Sequence, residues 1–103
     1  MPAYFIADVE WTDPGARAEY VRDFLPTLAP FGGEVIINTR DPEVVEGDWR
    51  PKGGIVVARF PSIEQARAWY DSETYRPLCE LRLRASHSNS LLVEGLEPRQ
   101  NQS

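Results

Sequence analysis

The side chains best suited to chemistry in this sequence lie on two segments: Arg82 and Tyr75 on one, Tyr20 on the other. On a 100° helical wheel of residues 75 to 86, Tyr75, Leu78, Cys79, Leu81 and Ala85 share one arc, with Arg82 in its middle. Arg76, Glu80 and Arg84 take the opposite, solvated side. A guanidinium keeps its charge at any ordinary pH, so once desolvated it must meet an anion or several acceptors. A carboxylate of the protein satisfies that need. So does the negative group of a ligand, or a stem lying along the surface with its head at the rim. A tyrosine beside a cation can act as acid or base if its pKa is brought toward neutrality. Tyr75 and Arg82 are therefore the candidate catalytic pair. Tyr20, Trp49 and Tyr70 are the ligand-binding candidates. Each tyrosine either fills core volume with a satisfied hydroxyl or orients a polar group. Trp49 sits in a turn-rich loop with Pro51 and Gly53, where a large ring either plugs a pocket or covers a partner surface.

Other chemistries lack their parts. The single His87 has no triad partners, and the single Cys79 reads as a small buried hydrophobe, so His87 is assigned a surface or capping role. One Cys and one His build no zinc pattern, and neither a G-x-G-x-x-G, a P-loop nor an H-E-x-x-H occurs. The expectation is a protein with no metal and no cofactor.

Length and charge narrow the class further. The chain has 103 residues, with eleven Lys and Arg against sixteen Asp and Glu, a net charge of -5. This reads as one small domain over residues 1–96 with a polar, flexible tail at 97–103. A domain of this size hides a modest fraction of its surface, so a homodimer is expected. The acidic balance and the lack of a basic block argue against nucleic acid. No apolar run approaches a bilayer span and the start carries no secretion pattern, so the reading is an unprocessed, soluble protein with no membrane partner. One cysteine builds no disulfide framework, which points to the cytoplasm.

The positioning elements follow from periodicity. Ala3 to Trp11 reads as strand one. Asp13-Pro14 starts a helix running to about Phe31, with the stripe Ala16, Tyr20, Phe24, Leu28, Phe31. Pro26 predicts a kink or a division into two short helices, closed by Gly32-Gly33. Val35 to Thr39 is strand two, Val44-Val45-Glu46 a short extension, and Ile55 to Phe60 strand three. Ser62-Ile63-Glu64-Gln65 has the form of a capping box opening a helix through Tyr70. Asp71-Ser72 restarts helix to about Ser86, and Ser90 to Leu96 is strand four. The order predicts an α+β, ferredoxin-like βαββαβ sandwich, an antiparallel sheet with both helices on one face.

Strand parity adds the assembly. Phe5, Ala7 and Val9, then Val56, Ala58 and Phe60, then Leu91 and Val93 form wholly apolar parities assigned to the helices. The opposite parities mix Ile6, Ile55, Val57 and Leu92 with Asp8, Arg59 and Glu94, too apolar for a solvated face. A second subunit is expected to cover that face and make a dimeric α+β barrel. Asp8, Arg59, Glu94 and Asn38 are then expected to pair as a buried charged network.

Several stretches together carry a resemblance. Thr12-Asp13-Pro14, Tyr20, Gly32-Gly33, Glu46-Gly47-Asp48-Trp49-Arg50-Pro51, Phe60-Pro61-Ser62, Ala66-Arg67-Ala68-Trp69-Tyr70-Asp71-Ser72, Tyr75, Arg82 and Val93-Glu94-Gly95 resemble the domain of unknown function 1330 family of the dimeric α+β barrel superfamily. The resemblance spans about residues 3 to 96. It implies a ferredoxin-like subunit, a dimer with facing sheets and a pocket between sheet and helices, toward which Tyr20, Tyr75 and Arg82 would point. Superfamily relatives include cofactor-independent monooxygenases, lactone isomerases, polyketide cyclases and stress-response dimers. Where relatives commonly have a glycine-containing turn after strand two, this chain reads Asn38-Thr39-Arg40-Asp41-Pro42. The implied function is binding of a small anionic or phenolic metabolite, with isomerase, cyclase or monooxygenase chemistry; the alternative is a non-catalytic ligand-sensing or protein-interaction dimer.

Overall fold

A computed structural model describes residues 1–97; the tail expected at 97–103 lies, from residue 98 on, outside the described residues. Strand β1 (Ala3–Trp11) leads into helix α1 (Pro14–Leu28) and a single tight turn at Ala29–Phe31. Strands β2 (Glu34–Thr39) and β3 (Ile55–Phe60), helices α2 (Ile63–Tyr70) and α3 (Arg76–Ala85), and strand β4 (Ser86–Glu94) follow. The sheet order is β2-β3-β1-β4, every neighbouring pair antiparallel, with the helices on one face. This is the ferredoxin-like α+β fold.

Local chemistry sets the boundaries. The Asp13 carboxylate caps α1 by accepting from the amides of Gly15 at 2.9 Å and Ala16 at 3.3 Å. Ser62 caps α2 by accepting from the Gln65 amide at 3.1 Å. Trp69, fully buried, centres the core, with Phe5 edge-on at 5.0 Å and Tyr75 at 4.0 Å between centroids. Its indole N–H donates to the Thr27 hydroxyl at 3.0 Å, and that hydroxyl donates to the Phe24 carbonyl at 2.7 Å, so the one buried threonine is satisfied.

Four expectations are corrected. Of the kink or division expected at Pro26, the division does not occur, since α1 runs unbroken through it. The carbonyl it frees belongs to Arg22, on the exposed side where water can replace the lost bond. Val44 to Glu46 form no strand. Strand β4 begins at Ser86, four positions earlier than Ser90, because antiparallel pairing with Val9 to Trp11 recruits Ser86 to Ser88 despite their turn-like composition. Its parity is also reversed: Leu92 lies opposite Phe5 on the helix side, whereas Leu91 and Val93 lie opposite Ile6 and Tyr4 on the open face. Three consecutive apolar residues carry no parity of their own, so only the register decides.

That register also breaks up the expected charged network. Glu94 pairs with Ala3 and Asn38 with Val56, both on the helix side. Arg59 instead forms an exposed ion pair with Glu34, its cross-strand neighbour, and Asp8 accepts from Trp49. The open face is correspondingly more apolar, with Ile37 at 45% and Leu91 at 59% exposed on it.

Candidate functional site

The helix layer covers the sheet unevenly. Over β1 and β4 it packs closely, while between α1 and the β1-β3-β2 side it leaves a cleft of about 240 Å³. Steps of three and four along α1 bring Arg17, Tyr20, Val21 and Phe24 to its wall, and alternation along β1 brings Phe5, Ala7, Val9 and Trp11 to its floor. Aromatic rings line the inner part: Tyr20 stacks on Phe24 at 5.2 Å and meets Trp11 at 5.3 Å. Beside Arg17 and Tyr20, the polar lining comes from Asn38, Thr39 and Arg40 at the end of β2. Gly53 and Gly54 close this end, and no other residue type fits there. A Cβ on Gly53 would lie 1.5 Å from the Val9 carbonyl oxygen, and Gly54 has φ +99° with its Cβ position 2.3 Å from the Thr39 carbonyl oxygen.

Behind the Tyr20 wall lies a buried polar cluster. The Tyr20 and Tyr75 hydroxyls are hydrogen-bonded at 2.7 Å. Arg82, 1% exposed, donates through one terminal nitrogen to the Ser88 hydroxyl at 2.8 Å and through the other to the Cys79 sulfur at 3.8 Å. Its Nε has no hydrogen-bond partner, and among the described residues no carboxylate lies within salt-bridge distance of it. Its planar head is 5.9 Å from the Phe5 ring centroid. Burial works against this charge, but the oxygens of Tyr75 and Tyr20 and the Cys79 sulfur outweigh it and hold the guanidinium above its ordinary pKa. Burial pushes the Tyr20 hydroxyl well above the usual phenol range and Tyr75 above it, Arg82 only partly opposing the rise. Both phenols therefore remain protonated at neutral pH. They can donate a hydrogen bond; they are poor bases.

The structure distributes the five candidate residues unevenly. Tyr20 alone lines the cleft, and its hydroxyl is turned to Tyr75. Tyr75 and Arg82 stand behind it, outside the lining. Tyr70 flanks the cluster, half-buried, with its oxygen accepting from the Cys79 thiol at 3.5 Å and its ring 4.8 Å from the Arg76 guanidinium. The Cys79 hydrogen bond, then burial, raises its pKa. Trp49 is on the other side of the sheet: its indole donates to the open-face Asp8 carboxylate at 3.1 Å, and its ring is 63% exposed. Arg17, Asn38 and Arg40 were missed as site residues. Only the three-residue step from Arg17 to Tyr20 on one helix face could have signalled the first, and nothing local signals the other two. Among the described residues, no group of three or more His, Cys, Asp or Glu side chains is arranged to hold a metal.

A family model described as domain of unknown function 1330 matches residues 2–96. The chain belongs to this family. No curated protein matches it. The domain of unknown function 1330 chain is similar in structure to a protein of unknown function from Rhodopseudomonas palustris, with TM-score 0.72 and 22% identity, over 94% of this chain and 84% of that one. A dimeric ferredoxin-like protein of unknown function from Thermobifida fusca matches with TM-score 0.64 and 18% identity, over 91% of each chain. SnoaB, a cofactor-independent oxygenase from Streptomyces nogalater, matches with TM-score 0.54 and 17% identity, over 97% of this chain and 98% of that one. At these identities the likeness shows the fold that the family shares with them. Among the described residues, no helix is long and apolar enough to cross a membrane.

Proposed function

We propose that this family member is a homodimer in which each subunit binds one small aromatic metabolite, phenolic or anionic, in the cleft between α1 and the sheet. The observation that carries this reading is the cleft itself: in a domain whose other half is closely packed, an aromatic-lined space of about 240 Å³ stays open. At about 30 Å³ per liquid water this equals about eight waters, which suits a single ring with a short substituent. The dimer rests on the apolar open face of the sheet and on the dimeric ferredoxin-like neighbour.

The chemistry this geometry favours needs no metal or nucleotide. Tyr20, backed by Tyr75 and Arg82, supplies a polarised wall beside the ligand, in keeping with an isomerase, cyclase or oxygenase that stabilises an enol or enolate. The likeness to a cofactor-independent oxygenase is in line with that class. One observation favours the non-catalytic, ligand-sensing alternative: the Tyr20 hydroxyl is engaged by Tyr75, with both phenols held protonated.

A thermal-shift screen against small phenols, quinones and carboxylates tests the reading, run beside Val35→Phe, which fills the cleft. The expected result is a rise in melting temperature that disappears in Val35→Phe. Equal shifts in both proteins, or none in either, would overturn it. Oxygen uptake or spectral change with a hit then separates enzyme from sensor.

A further inference from the structure

We propose that the cleft ligand is an aryl carboxylate whose carboxylate is held by Arg17 and Arg40 at the polar end, with the ring against Trp11, Tyr20 and Phe24. This rests on the cleft being the ligand site and names the chemical class that it selects.

The charge pattern of the lining carries the inference. The chain has sixteen acidic side chains against eleven Lys and Arg, yet the cleft is lined by two arginines and no Asp or Glu. Arg17 comes from α1 and Arg40 from the residue after β2, so two separate elements bring like charges to one cavity. Like charges brought together without a counter-charge repel, and an anion between them removes that repulsion. Among the described residues neither Arg17 nor Arg40 has a carboxylate within salt-bridge distance, which they share with Arg50, Lys52, Arg67, Arg82 and Arg84; what sets the two apart is that both line the cleft. A guanidinium's fork suits a carboxylate's two oxygens, and Asn38, which also lines the cleft, carries a carboxamide able to donate another bond. Arg82 is a different case. It is sealed behind Tyr20 and outside the lining, so the ligand charge belongs at the cleft end and not at the buried cluster.

The polar and aromatic parts of the cleft divide the ligand between them. Trp11, Tyr20 and Phe24 offer ring faces and edges to an aromatic body, and the β2 end offers the cationic pair to its acid. Because Arg40 is exposed and Arg17 half-buried, the charged contact stays near solvent. Binding is therefore salt-sensitive, since exposed charge pairs are screened by added salt.

The test compares an acid with its uncharged twin on the intact chain. Calorimetric titration with 4-hydroxybenzoate and 4-hydroxybenzamide is run on the natural protein, on Arg17→Gln with Arg40→Gln, and on Arg84→Gln. The last removes an exposed positive charge from α3, outside the cleft lining. The expected result is a preference for the acid of about tenfold or more, lost in the double variant, kept in Arg84→Gln and weakened by salt. Equal affinity for acid and amide in the natural protein, or a preference that survives in the double variant, overturns the arginine clamp and leaves the cleft reading standing. A preference lost equally in Arg84→Gln also overturns it, as a general effect of net charge. Failure of both probes to bind the natural protein overturns the clamp and the cleft reading together.

Discussion

The Tyr20 and Tyr75 hydroxyls meet at 2.7 Å across 55 residues of sequence, joining α1 to the start of α3 just behind the cleft wall. Each is buried, so removing one hydroxyl leaves the other short of a partner. Tyr20→Phe and Tyr75→Phe are each expected to cost about 1 kcal/mol, up to about 3 if the remaining hydroxyl finds no water. The double variant should cost clearly less than their sum, a coupling of about 0.5 kcal/mol or more. Urea unfolding of the four proteins measures it, and strict additivity would show that the bond contributes nothing.

Alkaline stability depends on the same two phenols. Burial raises both native pKa values, whereas the unfolded chain ionises its tyrosines near a pKa of about 10. Above that pH the unfolded state holds fewer protons than the native state, so stability falls as pH climbs toward the native values. Below about pH 9 these groups contribute no slope. Urea midpoints from pH 8 to 11 should show the fall, and Tyr20→Phe should make it shallower. An unchanged slope in that variant would remove Tyr20 as its source.

Among the described residues no carboxylate faces the buried Arg82, so its desolvation is offset by hydrogen bonds to Ser88 and Cys79 and not by an ion pair. Arg82→Met keeps most of the volume and removes the cost of desolvating a cation, and should lie within about 1 kcal/mol of the natural protein. Arg82→Ala also removes packed atoms and should cost about 2–4 kcal/mol. Because Arg82 lowers the Tyr75 pKa, the methionine variant should ionise Tyr75 at still higher pH, read from tyrosinate absorbance. A methionine variant as unstable as the alanine one would mean that the guanidinium holds the fold together.

The open sheet face should carry the dimer. Leu91 stands on it, 59% exposed, opposite Ile6. Sedimentation of the natural protein is expected at twice the chain mass. Leu91→Lys should sediment as a folded monomer, while Leu83→Lys, equally exposed on α3, should remain dimeric. A monomeric natural protein at micromolar concentration would sink the proposed assembly.

The sequence by itself determined the order of elements and most of their bounds, because helix caps, prolines and hydrophobic periods are local: Asp13 and Ser62 open helices wherever the rest of the chain lies. Periodicity on one helix likewise placed Arg82 inside, where it is 1% exposed. The tertiary structure decided whatever depends on two distant segments meeting. Leu91-Leu92-Val93 holds no sign of its own parity, and only pairing with β1 turned Leu92 toward Phe5. The sequence ends a helix at about Ser86 and opens the strand at Ser90; pairing with Val9 to Trp11 makes Ser86 to Ser88 strand, where Ser88 is the partner of Arg82. The cleft arginines were illegible for the same reason: Arg17 and Arg40 are surface-type residues 23 positions apart, and come to line one cleft only when α1 folds over the end of β2.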